Sequence, residues 1–199
     1  YLVIIRHMNT GKGMSKEIQI VKRDGRKEQL DLDKLHTVVF HACEGITGVS
    51  PSEVEIKSHI QFYNGITSSD IQETLIKSAS DLISEETPNY QYVAGRLVNY
   101  HLRKNVYNHF TPDTLINVIN KNIERGFYDP AILTSYTIDE INTMDNYIDH
   151  TRDNNLTYAA MEQFRGKYLV QNRATSDIFE TPQIAYILIA ATLFSDYPA

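Results

Sequence analysis

The 199-residue sequence has no tryptophan and a single cysteine, Cys43. One thiol excludes an internal disulfide and any Cys-x-x-Cys zinc site, and it fits the reducing environment of a cytoplasmic protein. Long apolar runs are also missing. The longest, Ile184 to Phe194, is about half of the roughly 20 residues that a membrane-spanning helix needs. Basic residues are in the minority, 19 Lys and Arg against 25 Asp and Glu for a net charge of −6. With no long basic run, neither a nucleic acid nor a membrane is expected as a partner, and any anion site must be local. No G-x-S-x-G, Walker A or G-x-G-x-x-G motif is present, and the histidines are too scattered to suggest a metal site. What the chain does have is 42% hydrophobic residues, enough for one or two domains to bury cores.

Residues 1–13, YLVIIRHMNTGKG, lack a small-residue cleavage site and read as extra or linker sequence before a plausible start at Met14. From Ile18 the pattern is strand-like: IQIVKR, then Asp24-Gly25, then KEQLDL. Asp-Gly between two short extended runs predicts a hairpin, because both turn residues tolerate positive φ. After Asp33 the period becomes helical, with Leu35, Val38, Val39, Ala42, Cys43 and Ile46 on one face. Ser50-Pro51-Ser52-Glu53 predicts a second helix opened by an N-cap, a first-turn proline and a capping box, running to about Asn64-Gly65. Thr67 or Ser68 starts a third helix and Thr87-Pro88 a fourth, which runs through Tyr107. The expectation for 14–110 is a four-helix bundle capped by a small sheet. Thr111-Pro112 marks a boundary, and 111–199 is expected to be a second, also helical unit. Its signals are a helix over 112–125, a capping box from Thr137 to Glu140, two extended runs within 168–180 and an apolar helix from Pro182. The fold class is therefore mainly α.

Two clusters of cations stand out against the negative total. The hairpin and the start of helix one, VKRDGRKEQLDLDKLH, gather Lys22, Arg23 and Lys34 with several acids around one tight turn. Helix four ends in Tyr100-His101-Leu102-Arg103-Lys104, where cations suit a helix C-terminus without any ligand. Bundle packing would bring Lys104 to Lys22 if the hairpin closes the bundle. From the residues alone, a solvated charged face and a site for a triphosphate both remain open. Cys43 lies on an apolar helix face with no base nearby and reads as a structural thiol. Asp149, Arg152 and Asp153 read as caps or ion pairs.

Three long stretches, VKRDGRKEQLDLDKLH, SHIQFYNGITSSDIQETLIKSASDLI and PNYQYVAGRLVNYHLRK, closely resemble the ATP-cone of the class Ia, bacterial and phage type ribonucleoside-diphosphate reductase large (alpha) subunit. FYDPAIL, YIDHTRDNNLTYAAMEQFRGKYLVQNR and ETPQIAYILIAATLF resemble the helical N-terminal part of the reductase barrel domain that follows the cone there. The resemblance covers 18–199. It implies an overall-activity switch, with ATP as activator and dATP as inhibitor, carried with Mg2+. It also implies effector contacts at Lys22, Arg23, Glu28, Gln29, Leu30, Asp31, Leu32, Asp33, Lys34, Ser68 and Lys104. The cations would neutralise phosphates, and Glu28 and Asp31 would hydrogen-bond base or ribose. The implied partners are the remainder of the large subunit, a second copy in a homodimer and the radical-generating small (beta) subunit. Relatives often carry an aromatic at the position of His41 and a histidine at that of Gln72. The family's catalytic cysteines have no counterpart here, so these 199 residues are not expected to turn over alone. The alternative is a stand-alone ATP-cone nucleotide sensor or transcriptional regulator, which would need a four-cysteine zinc ribbon.

Overall fold

The computed structural model describes residues 18–197. The expected linker 1–13 and Met14 lie outside that range. Strands β1 (Gln19–Val21) and β2 (Lys27–Gln29) pair antiparallel with Ile20 opposite Glu28. The hairpin forms, but not on a two-residue Asp-Gly turn: Gly25 N–H donates to the Lys22 carbonyl at 2.9 Å, so Arg23 and Asp24 occupy the turn's centre and only Gly25, at φ +83°, takes the conformation that L side chains rarely adopt. Four helices follow: α1 (Leu32–Cys43), α2 (Pro51–His59), α3 (Ser68–Ser80) and α4 (Tyr90–Tyr107). The loop before α3 adds a third edge to the small sheet, since Val21 N–H donates to the Ile66 carbonyl at 3.0 Å and Gly65 N–H to that of Gln19 at 2.7 Å.

Cap chemistry explains two of these four starts. Asp31 caps α1 by accepting from the N–H groups of Asp33 and Lys34, and Thr67 caps α3 by accepting from that of Asp70. The predicted box at Ser50 does not form: Ser50 makes no side-chain cap bond. Glu53 instead accepts from the hydroxyl of the buried Tyr90, so a tertiary partner has displaced the local one. Helix α2 is also shorter than expected and stops at His59.

Helix α4 is the central element. Val93, Ala94, Leu97, Val98 and Leu102 are fully buried, and each large one contributes about 1.5–3 kcal/mol. One side of α4 packs on α1 and α3, the other on the second half of the chain. That half comprises α5 (Leu115–Glu124), α6 (Ile132–Ser135), α7 (Ile138–Asp145), a 3-10 turn (His150–Asn155), α8 (Tyr158–Gln163) continued by a π turn (Phe164–Tyr168), a short hairpin β3 (Gln171–Asn172) and β4 (Asp177–Ile178), and α9 (Pro182–Leu193). The Thr137–Glu140 capping box is present in full. Among the described residues no helix is long and apolar enough to cross a membrane.

The junction between the halves is a polar seam along α4. Arg96 donates to the Ala42 and Glu44 carbonyls at the end of α1 and to the Asn154 carbonyl. Asn99 donates to the Asn154 side chain at 3.1 Å, and Arg103 to the His150 carbonyl at 2.6 Å. Gly95 lets the backbones meet: a Cβ there would stand 2.2 Å from the Leu156 carbonyl oxygen.

Candidate functional site

The hairpin, the starts of α1 and α3 and the end of α4 surround a cleft of about 790 Å³. This is within the range of small-molecule sites, roughly 300–1,000 Å³. Period-two alternation along β2 turns Glu28 and Leu30 into the cleft and leaves Gln29 out of its lining. Lys22, Arg23, Asp31, Asp33, Lys34, Ser68 and Lys104 also line it. Leu32 does not, and sits 49% exposed on the first turn of α1. Nine of the eleven expected contacts therefore share one cavity, while Gln29 and Leu32 lie outside it.

The cations are held by distinct devices. Arg23 reaches across the fold to donate to the Lys104 carbonyl at 2.9 Å and to Asn105 Oδ1 at 2.7 Å, fastening the hairpin to the C-terminus of α4. That carbonyl also accepts from the Asn108 N–H at 3.1 Å, and a guanidinium at a helix C-terminus is favoured by the helix dipole. Lys104 Nζ lies 4.4 Å from the centroid of the Phe110 ring, a cation–π contact that sequence reasoning missed. Burial, together with repulsion from Arg23 and Lys22, lowers the Lys104 pKa. Lys22 pairs with Glu28 at 2.7 Å, and this bond lowers the Glu28 pKa. Lys34 pairs with Asp31 at 3.2 Å. The Asp31 carboxylate thus both caps α1 and steadies Lys34; its bonds to the Lys34 backbone and side chain lower its pKa. Both acids expected to meet base or ribose are, in this structure, engaged with the cations.

Arg103 points away from the cleft, to the His150 carbonyl and to Asp153, 3.8 Å away. Cys43 is 7% exposed, and burial raises its pKa to about 11, so the thiol stays protonated and unreactive. Among the described residues no group of three or more His, Cys, Asp or Glu side chains is placed to hold a metal ion. Of the four acids that line the cleft, Asp24 pairs with Arg26, Glu28 with Lys22 and Asp31 with Lys34, and Asp33 makes no ion pair with the described residues.

The cleft lies within the part of the chain matched by a family model described as the ATP cone domain, residues 18–105. This part of the chain is an ATP cone. Similarity continues past the cone. Over 185 residues, 93% of this chain, it is 52% identical to the ribonucleoside-diphosphate reductase subunit alpha of Haemophilus influenzae and 52% identical to the corresponding subunit 1 alpha of Escherichia coli. It is 39% identical over 183 residues to the subunit alpha of Enterobacteria phage T4. The chain spans about a quarter, 24%, of the length of each of these relatives.

Proposed function

We propose that the cleft of the cone binds ATP or dATP and that the chain is the N-terminal regulatory part of a ribonucleoside-diphosphate reductase large subunit. The observation that carries this reading is the convergence of Lys22, Arg23, Lys34 and Lys104 on one cleft in a chain of net charge −6. The repulsion of Lys104 by Arg23 and Lys22, which adds to burial in lowering its pKa, is relieved when a triphosphate enters. Charge-assisted bonds of this kind are each worth about 1.5–3 kcal/mol.

In this reading Lys22, Arg23, Lys34 and Lys104 neutralise phosphates, with Ser68 at the start of α3 as a hydroxyl donor. Glu28 and Asp31, lining the same cleft, distinguish ATP from dATP through the ribose 2′-hydroxyl. Mg2+ arrives with the phosphates. ATP sustains and dATP stops the reduction of ribonucleotides for DNA synthesis, a reaction performed by the whole large subunit, as a homodimer, with its radical-generating small subunit in the cytoplasm. Identity extending to 185 residues, well beyond the cone, favours this over a stand-alone nucleotide sensor. The cone is assigned to 14–110 and the following helical segment to 111–199. Calorimetric titration of the 199-residue chain with ATP and with dATP tests the reading. Saturable, mutually competitive binding is expected, and absence of binding by both nucleotides would overturn it.

A further inference from the structure

Behind the cleft, one turn before Lys104 on α4, His101 is 3% exposed. Its Nε2 lies 3.3 Å from Glu73 Oε1, and its Nδ1 is buried without a hydrogen-bond partner. Glu73 follows the cleft-lining Gln72 on α3, and Gln72 Oε1 is likewise buried and unpartnered. The same Glu73 oxygen accepts from Arg165 Nη1 at 2.6 Å. Arg165 belongs to the π turn, 60 residues beyond the matched end of the cone at 105. Its second nitrogen, Nη2, lies 2.9 Å from Glu162 Oε1, so the fork grips one acid of the cone and one of the following segment.

We propose that Arg165, outside the cone, is a positioning residue of the nucleotide cleft, acting through Glu73, with the neighbouring His101 ring as its reporter. This rests on the nucleotide reading above. Three charges act on the buried imidazole from the elements packed around it: Glu73 of α3, Arg23 of the β1–β2 turn and Arg165 of the π turn. Burial is the largest influence on His101 and, with the two arginines outweighing nothing but adding to it, depresses its pKa to about 4 against the pull of Glu73. Arg23 is the shared element, because it lines the cleft and also holds the end of α4. A triphosphate that neutralises Arg23 raises the His101 pKa, as does removal of Arg165; starting from about 4 the ring stays largely neutral at neutral pH, so its titration reports the charge linkage while the effect on affinity comes from Glu73. Loss of Arg165 also leaves the Glu73 carboxylate uncompensated next to Gln72, which repels an entering phosphate. The segment after the cone thereby sets nucleotide affinity, and by linkage nucleotide binding acts back on that segment.

The test uses the 199-residue chain with Arg165→Gln and Arg165→Lys, and Arg103→Gln as a control on the same seam. Calorimetry with ATP at neutral pH and NMR titration of the His101 ring are the readouts. Arg165→Gln is expected to weaken ATP about threefold to tenfold and to move the His101 titration upward. Arg165→Lys restores part of the affinity, and Arg103→Gln leaves both readouts unchanged. A folded Arg165→Gln with wild-type affinity, or with an unmoved His101 titration, would overturn the proposal. Should wild-type protein bind no ATP, the nucleotide reading fails first, and the His101 titration in Arg165→Gln still decides whether the charge linkage exists.

Discussion

Replacing Gly95 by alanine places one methyl group where the structure has no room for it. The added Cβ would stand 2.2 Å from the Leu156 carbonyl oxygen, 3.0 Å from the Thr157 carbonyl carbon and 3.2 Å from the Tyr158 nitrogen, all of them backbone atoms. Ordinary contact needs roughly 3.5 Å, so the seam must open by more than about 1 Å. Overpacking of this kind typically costs about 1–3 kcal/mol. Opening also stretches the Arg96 and Asn99 bonds to Asn154, each worth about 0.5–1.5 kcal/mol net. Against this, alanine is favoured over glycine inside a helix by roughly 0.5–1 kcal/mol. The balance is a loss of about 1–3 kcal/mol, or a fall in Tm of roughly 2–12 °C at about 2–4 °C per kcal/mol for a chain of this size. Thermal unfolding followed by circular dichroism measures it. Gly166→Ala is the internal control, since a Cβ there meets nothing within 4 Å, and its Tm should stay level or rise slightly. A Gly95→Ala protein as stable as wild type would refute the seam as a close-packed junction.

Three further outcomes follow from the same geometry. Asp31→Ala removes the cap of α1 and should cost about 0.5–2 kcal/mol in denaturant unfolding, whereas Asp31→Asn retains most of that stability. Burial raises the Asp153 carboxyl to about 6, above its unfolded value near 4, so the folded state binds the proton more tightly and wild-type stability declines as pH rises from about 4 to about 6. Asp153→Asn abolishes that decline, and its stability relative to wild type should improve by as much as about 2–3 kcal/mol across the window, read by unfolding at several pH values. Glu28→Gln should change the ratio of ATP to dATP affinity more than Lys22→Ala does, as measured by parallel calorimetric titrations.

Elements fixed by local chemistry were legible from the residues. Asp24-Gly25 announced the hairpin, Thr67 the start of α3, Thr137 with Glu140 a complete capping box, and Pro182 the first turn of α9. The two extended runs within 168–180 do pair, although as strands of only two residues each. What stayed hidden depends on contacts distant in sequence. Glu53 looked like half of a capping box until Tyr90, 37 positions away, claimed it. Arg23 looked like a free phosphate cation, yet it also clamps the end of α4. Gly95, Arg96, Asn99 and Arg103 share one helix face at three- and four-residue spacing, a pattern that on sequence alone cannot be told from a solvated stripe. For the site, charge type was readable because cations are scarce in this chain. The Lys104–Phe110 contact and the Glu73–His101–Arg165 cluster were not, since no local periodicity brings those residues together.

Whether the cleft is a triphosphate site is tested most directly by calorimetry of the lysine variants. Lys22→Ala and Lys104→Ala should each weaken ATP and dATP together by at least roughly tenfold, because both nucleotides share the triphosphate. Arg103→Ala, whose side chain lies in the seam, should leave both affinities level while lowering Tm. Wild-type affinity for both nucleotides in the two lysine variants, with folding confirmed by circular dichroism, would show that the charged hairpin is only a solvated face and would contradict the account.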